Sequence, residues 1–164
     1  GGERLSFQEY FVARRHDVDV AAIEFVGARE ARPAPGVLDA LAEATQVVIA
    51  PSNPLVSIDP ILAVPGIREA VRARRDVTVA VSPIVAGAAL KGPAARLLGD
   101  LGHEPSALGV ARHYADLAGT IVLDDRDASL ADDVTALGVR CVVTDTIMSD
   151  ATRAAALAKA VLGA

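Results

Sequence analysis

Apolar and polar positions follow two regimes along the chain. Before Pro33, the runs 5–12 and 18–26 are rich in β-favouring side chains and show partial alternation. The polar break Arg14-Arg15-His16-Asp17 separates them, and four of the five aromatics (Phe7, Tyr10, Phe11 and Phe25) lie within them. This concentration predicts one antiparallel strand pair packed on a local cluster, with His16 as a solvated turn residue.

After Pro33 the period changes. Val37, Leu38, Leu41 and Ala44 have helical spacing, and the short apolar run 46–50 reads as a strand. A helix is expected over 65–74, opened by Pro65, whose fixed φ suits a first turn. A strand follows at 77–81. Pro93 starts a helix with Ala94, Leu97, Leu98 and Leu101 on one face, stopped by Gly102. Ala107, Leu108, Ala111, Tyr114 and Ala115 mark another. Strands at 120–123 and 139–144 flank a helix through Leu130, Val134 and Leu137, capped by Asp127 and closed by Gly138. Ala154, Leu157, Ala158, Val161 and Leu162 define the last helix. Four short apolar strands alternating with helices predict a Rossmann-like α/β domain: a parallel sheet with helices on both faces, plus the N-terminal antiparallel pair. The whole chain, 1–164, reads as one such domain.

Composition narrows the function. At 164 residues the chain can bury a real core, and its 52% hydrophobic content is too evenly spread for a membrane span. No basic stretch followed by an apolar core opens it, so no membrane role and a cytoplasmic location are expected. The single cysteine, Cys141, fits a reducing compartment and reads as an inert thiol within a strand. A net charge of −5 argues against a nucleic-acid partner. Arg68, Arg72, Arg74 and Arg75 read as the wet side of a helix.

The chemistry concentrates where strands end. The run 46–50 empties into Pro51-Ser52-Asn53-Pro54, and 77–81 empties into Ser82-Pro83-Ile84. Carboxyl ends of parallel strands are where an α/β sheet meets its ligands, with free backbone N–H groups to hold an anion. Ser52, Asn53, Ser82 and Ile84 are therefore candidate binding residues, although Asn-Pro is also ordinary turn chemistry. Ser57 can cap the following segment or reach a phosphate. Lys91, between Gly87 and Gly92, can act as a phosphate point charge. Arg112 can meet a phosphate or its i+4 neighbour Asp116. His113 reads as structural, and His103 as a helix-stop residue. Asp124, Asp125 and Asp127 look like a metal cluster, but caps explain them more simply. Asp145 reads as a helix cap. No metal ligand and no catalytic group is assigned.

Read together, the run 50–67, Ser82-Pro83-Ile84-Val85, Ala89-Leu90-Lys91-Gly92-Pro93-Ala94 and Gly109-Val110-Ala111-Arg112-His113-Tyr114 resemble the 2-phospho-L-lactate transferases. The resemblance implies a transferase that moves a phospholactyl or phosphoenolpyruvyl group from a diphospho-guanosine donor to a deazaflavin, releasing GMP, in coenzyme F420 biosynthesis. It implies magnesium, a guanine-nucleotide pocket that includes Ser52, Asn53 and Ser82, and a chain able to form a homo-oligomer. The Gly-rich strand–loop–helix and acidic segment with which the family begins do not occur in these residues. The chain is therefore expected to correspond to the family's C-terminal part and to be inactive alone. A second, non-enzymatic resemblance, around Val64-Pro65-Gly66-Ile67, is to nucleotide-sugar-binding regulators of the same superfamily.

Overall fold

A computed structural model describes residues 2–89 and 93–164. Four parallel strands form the centre: β1 (Val47–Ile49), β2 (Thr78–Val81), β5 (Thr120–Leu123) and β6 (Arg140–Val143), in the order β1-β2-β5-β6. Their Val, Ile and Thr content suits a pleated, buried surface. Register pairs Val47 with Thr78, Val79 with Thr120, and Thr120 with Arg140.

The strand order advances in one direction, so right-handed crossovers lay every connection on the same face. That face receives α1 (Val37–Glu43), α2 (Asp59–Leu62), α3 (Ile67–Ala73), α4 (Ala94–Asp100), α5 (Ala107–Tyr114) and α6 (Ala131–Thr135). The period of two along the strands sorts the side chains accordingly. Ile49, Ala80, Ile121 and Leu123 join the large core with Leu62, Val71, Leu97, Leu98 and Val110. Val79, Val81 and Val122 point the other way, onto Leu157 and Val161 of α7 (Ala151–Leu162). Helices thus cover both faces, but unequally.

The predicted N-terminal strand pair is absent. Residues 7–8 are helical and run into a π-type turn, Glu9–Ala13, while 18–25 form no strand. The sequence carries the reason in Ser6-Phe7-Gln8-Glu9. The Ser6 hydroxyl and N–H both donate to Glu9 Oε2, at 2.7 and 2.8 Å, and Glu9 N donates to Ser6 Oγ at 3.3 Å. This reciprocal S-x-x-E box starts a helix and overrides the β preference of the aromatics. Phe7 and Phe11, at i and i+4, then stack with centroids 5.5 Å apart. Tyr10 is buried in the main core, against which Leu5, Val18, Val20 and Ile23 also pack. The antiparallel pair lies elsewhere: β3 (Ile84–Val85) with β4 (Ala88–Ala89).

The four arginines are ties more than a wet face. Arg68 and Arg72 both pair with Asp116. Arg74 donates to the carbonyl of Ala44, and Arg75 to those of Ala115 and Gly138. Cys141 is half-buried on the crossover face, and burial pushes its thiol pKa up, consistent with an inert group.

Candidate functional site at the strand carboxyl ends

Because β1 and β2 are neighbours, the turns at Ser52-Asn53 and Ser82-Pro83 leave the sheet side by side. The predicted juxtaposition is present. Its details differ from residue to residue.

Asn53 starts a π-type turn, Pro54–Ile58, that leads directly into α2, so helical structure begins well before the helix expected from Pro65, which itself starts at Ile67. Its Oδ1 accepts from Leu55 N at 3.0 Å and Val56 N at 3.4 Å, an N-cap that fixes the orientation of the amide. Its Nδ2 is buried and has no partner among the described residues. A buried amide donor left unpaired is costly and asks for an acceptor. Ser52 is half-buried beside it. Ser57 lies inside the turn and does not cap α2; its backbone N donates to Asn53 O at 3.0 Å.

Ser82 is buried and its hydroxyl is fully engaged, donating to Ile84 O at 3.0 Å and accepting from Ile84 N at 3.2 Å. It shapes the turn from which the hairpin rises. Ile84 is fully buried, so only its backbone lies near this edge. Lys91 lies outside the described residues. Arg112 does not join the group. It sits near the carboxyl end of α5, which leads within a few residues to the amino end of β5, and it pairs with Glu104 rather than Asp116. His113 keeps a structural place between α5 and α2, its Nε2 2.9 Å from Asp59 Oδ1. His103 stands edge-on to it at 5.9 Å. Gly109 in the same segment is a close approach, since a Cβ there would lie 1.9 Å from Glu104 O.

The acidic run after β5 has a structural use that sequence reading assigned only in outline. Asp124, rather than Asp127, caps the turn Asp125–Leu130 through Arg126 N at 3.1 Å. Its Oδ2 also accepts from Thr146 N at 2.9 Å and Thr146 Oγ1 at 3.0 Å, tying the ends of β5 and β6 together. Burial favours the neutral acid, but these donors prevail and hold the Asp124 carboxyl below its usual range. Asp127 is buried and accepts from Ala86 N at 3.0 and 3.2 Å, binding the β5 loop to the β3–β4 hairpin. Asp145 bonds Ile147 N at 3.0 Å and pairs with Arg153, while Asp150 is the cap of α7. Among the described residues no group of three or more His, Cys, Asp or Glu could hold a metal ion. The two buried acids at this edge, Asp124 and Asp127, are already engaged by backbone donors, and exposed Asp125 stands without a second free acid beside it, so the described residues do not fit magnesium.

A family model described as 2-phospho-L-lactate transferase CofD matches residues 1–160, nearly the whole chain. The chain belongs to this transferase family. A phosphoenolpyruvate transferase of Streptomyces griseus is 46% identical over 160 residues, covering 96% of this chain and 50% of the relative. One from Thermobifida fusca is 44% identical over 161 residues, covering 98% of this chain and 48% of the relative. A 2-phospho-L-lactate transferase of Methanosarcina barkeri is 36% identical over 159 residues, covering 97% and 51%. The chain therefore spans about half the length of the curated relatives it matches. Within the described residues, no helix is long and apolar enough to cross a membrane.

Proposed function

We propose that a full-length enzyme carrying this sequence transfers a phosphoenolpyruvyl group from an enolpyruvyl-diphospho-guanosine donor to a deazaflavin, releasing GMP, in coenzyme F420 biosynthesis. The observation that carries this reading is the match of residues 1–160 to the transferase family. The higher identity to phosphoenolpyruvate transferases, 46% against 36% for a phospholactate enzyme, favours the enolpyruvyl donor over the lactyl one.

In the transfer, a primary hydroxyl of the acceptor forms a new P–O bond to the distal phosphorus. The diphosphate bridge breaks, GMP leaves with the bridging oxygen, and the hydroxyl proton passes to solvent. Chemistry of this kind asks the protein chiefly for positioning and neutralisation of charge. The contribution suggested for this chain is one wall of the donor pocket. The buried Nδ2 of Asn53, without a partner among the described residues, suits a phosphate oxygen, and Ser52 stands beside it. The small, exposed Ala86-Gly87-Ala88 tip admits close approach of a diphosphate. Guanine recognition, the deazaflavin acceptor and a self-associated state belong to the same proposal and rest on family membership.

The test is a full-length enzyme assayed with enolpyruvyl- and lactyl-diphospho-guanosine as alternative donors and the deazaflavin as acceptor. Acceptor-dependent GMP release, faster with the enolpyruvyl donor, is expected, with a product whose mass includes the transferred group. GMP release that ignores the acceptor, or none from either donor, refutes the reading.

A further inference from the structure

The β3–β4 hairpin rises from the carboxyl end of β2 and turns through Ala86 and Gly87, with φ of +50° and +74°. Positive φ at both central positions marks the type I′ turn that suits a two-residue hairpin. Asn or Gly normally fills its first position, because an ordinary L-residue there crowds its own Cβ. Alanine has no side-chain means of stabilising that conformation, so the strain must be offset from outside.

The offset comes from Asp127. Both its carboxylate oxygens accept from the single N–H of Ala86, at 3.0 and 3.2 Å, across 41 residues of sequence. Asp127 is 5% exposed, and Ala86 N is the sole hydrogen-bond donor to its carboxylate among the described residues. Burying a carboxylate to hold one strained amide is an expensive arrangement if only a surface turn is at stake. The hairpin's base, by contrast, is core: Ile84 is 0% and Val85 3% exposed. Its tip, Ala86-Gly87-Ala88, is exposed and carries no bulky side chain, at the edge where Ser52 and Asn53 leave β1.

We propose that Asp127 is a positioning residue: it locks the strained Ala86-Gly87 turn so that the hairpin tip presents its backbone to the diphosphate of the donor. This rests on the transferase reading above. The experiment compares unaltered full-length enzyme with Asp127→Ala, Ala86→Gly and the double variant. Hydrogen exchange of the hairpin amides and binding of guanosine diphosphate by calorimetry are measured side by side. In Asp127→Ala, exchange should quicken at 84–89 while the strands stay protected. Nucleotide affinity should fall about tenfold or more, the size expected for a lost charge-assisted contact. Ala86→Gly in the Asp127→Ala background relieves the positive-φ strain and should recover part of both, which global destabilisation would not allow. Unchanged exchange at the hairpin overturns the inference, as does a loosened hairpin with unchanged affinity, or a double variant no better than the single one. If the unaltered enzyme fails to bind guanosine diphosphate, both the transferase reading and this inference fall. Binding by that enzyme with an indifferent Asp127→Ala sinks the inference alone.

Discussion

Asn53 does two things with one amide. Its oxygen caps the turn that opens the first crossover, and its nitrogen is buried with no partner among the described residues. Asp caps as well as Asn does, whereas Ala does not. Asn53→Asp therefore keeps the turn and replaces a donor with an anion, so the two roles separate. Guanosine diphosphate binding by the full-length variant should weaken about ten- to a hundredfold, while amide exchange in the capped Pro54–Ile58 turn stays as in the unaltered enzyme. Unchanged affinity in Asn53→Asp would move the pocket elsewhere. Asn53→Ala removes both functions and should lower affinity and melting temperature together. Sequence alone ranks Asn53 as a strand-end residue, but it cannot show that its Nδ2 lacks a partner, since that depends on which distant backbone groups arrive around it. Ser82 is the reverse case. Its position was legible, yet its hydroxyl is closed on Ile84 by a turn two residues long, which shapes the edge without facing it.

The loop after β5 acts as a stitch. Asp124 reaches the end of β6 and Asp127 the hairpin beyond β2, so one acidic run holds three strand ends in register. The Asp124 carboxyl lies below its ordinary value when folded, so the stability it supplies is complete above its unfolded pKa and lost as pH falls through the folded one. Stability should therefore decline once pH drops below about 4, the ordinary aspartate range. Asp124→Asn should shorten that acid limb in urea titrations at successive pH values while lowering the plateau near neutrality. An identical acid limb in the variant would assign the effect to Asp116 and Asp150, whose carboxyls are also held low. For the elements themselves, the four sheet strands and the longer helices after Pro33 are legible because their period is strong, and Gly102, Gly138 and Gly163 mark the stops of α4, α6 and α7, whereas the four-residue α2 is too short to show a period. In the N-terminal region the aromatics favour strands, and the Ser6–Glu9 box that starts a helix instead is a short local signal set against them. The β3–β4 hairpin was missed because two-residue strands carry no period, and only the Ala86-Gly87 pair marks the turn. The partners of the acids were beyond reach, since capping is local but Asp127 to Ala86 is not.

At the scale of the whole molecule, the one-way strand order has an energetic consequence. Every crossover packs on one face, so the opposite face of β2 and β5 depends on α7. Its buried cluster is small: Val79, Val81, Val122, Leu157 and Val161, with Val142 and Ala164 at the margin. Parallel strands are ordinarily buried on both faces, and Val48 of β1, 45% exposed, lies where this cover ends. A small cluster has few neighbours able to collapse into a vacancy, so a truncation within it should cost near the full amount for a core leucine. Leu157, 4% exposed, is its central contact from the helix side. Leu157→Ala should lower stability by about 2–5 kcal/mol in chemical denaturation, while truncating Val12, 64% exposed, should stay within about 0.5 kcal/mol. Amide exchange should localise the difference, with β2 and β5 losing protection together once α7 detaches. A Leu157→Ala cost no larger than that of Val12→Ala would mean that α7 is only loosely seated, and the second face of the sheet would need another cover.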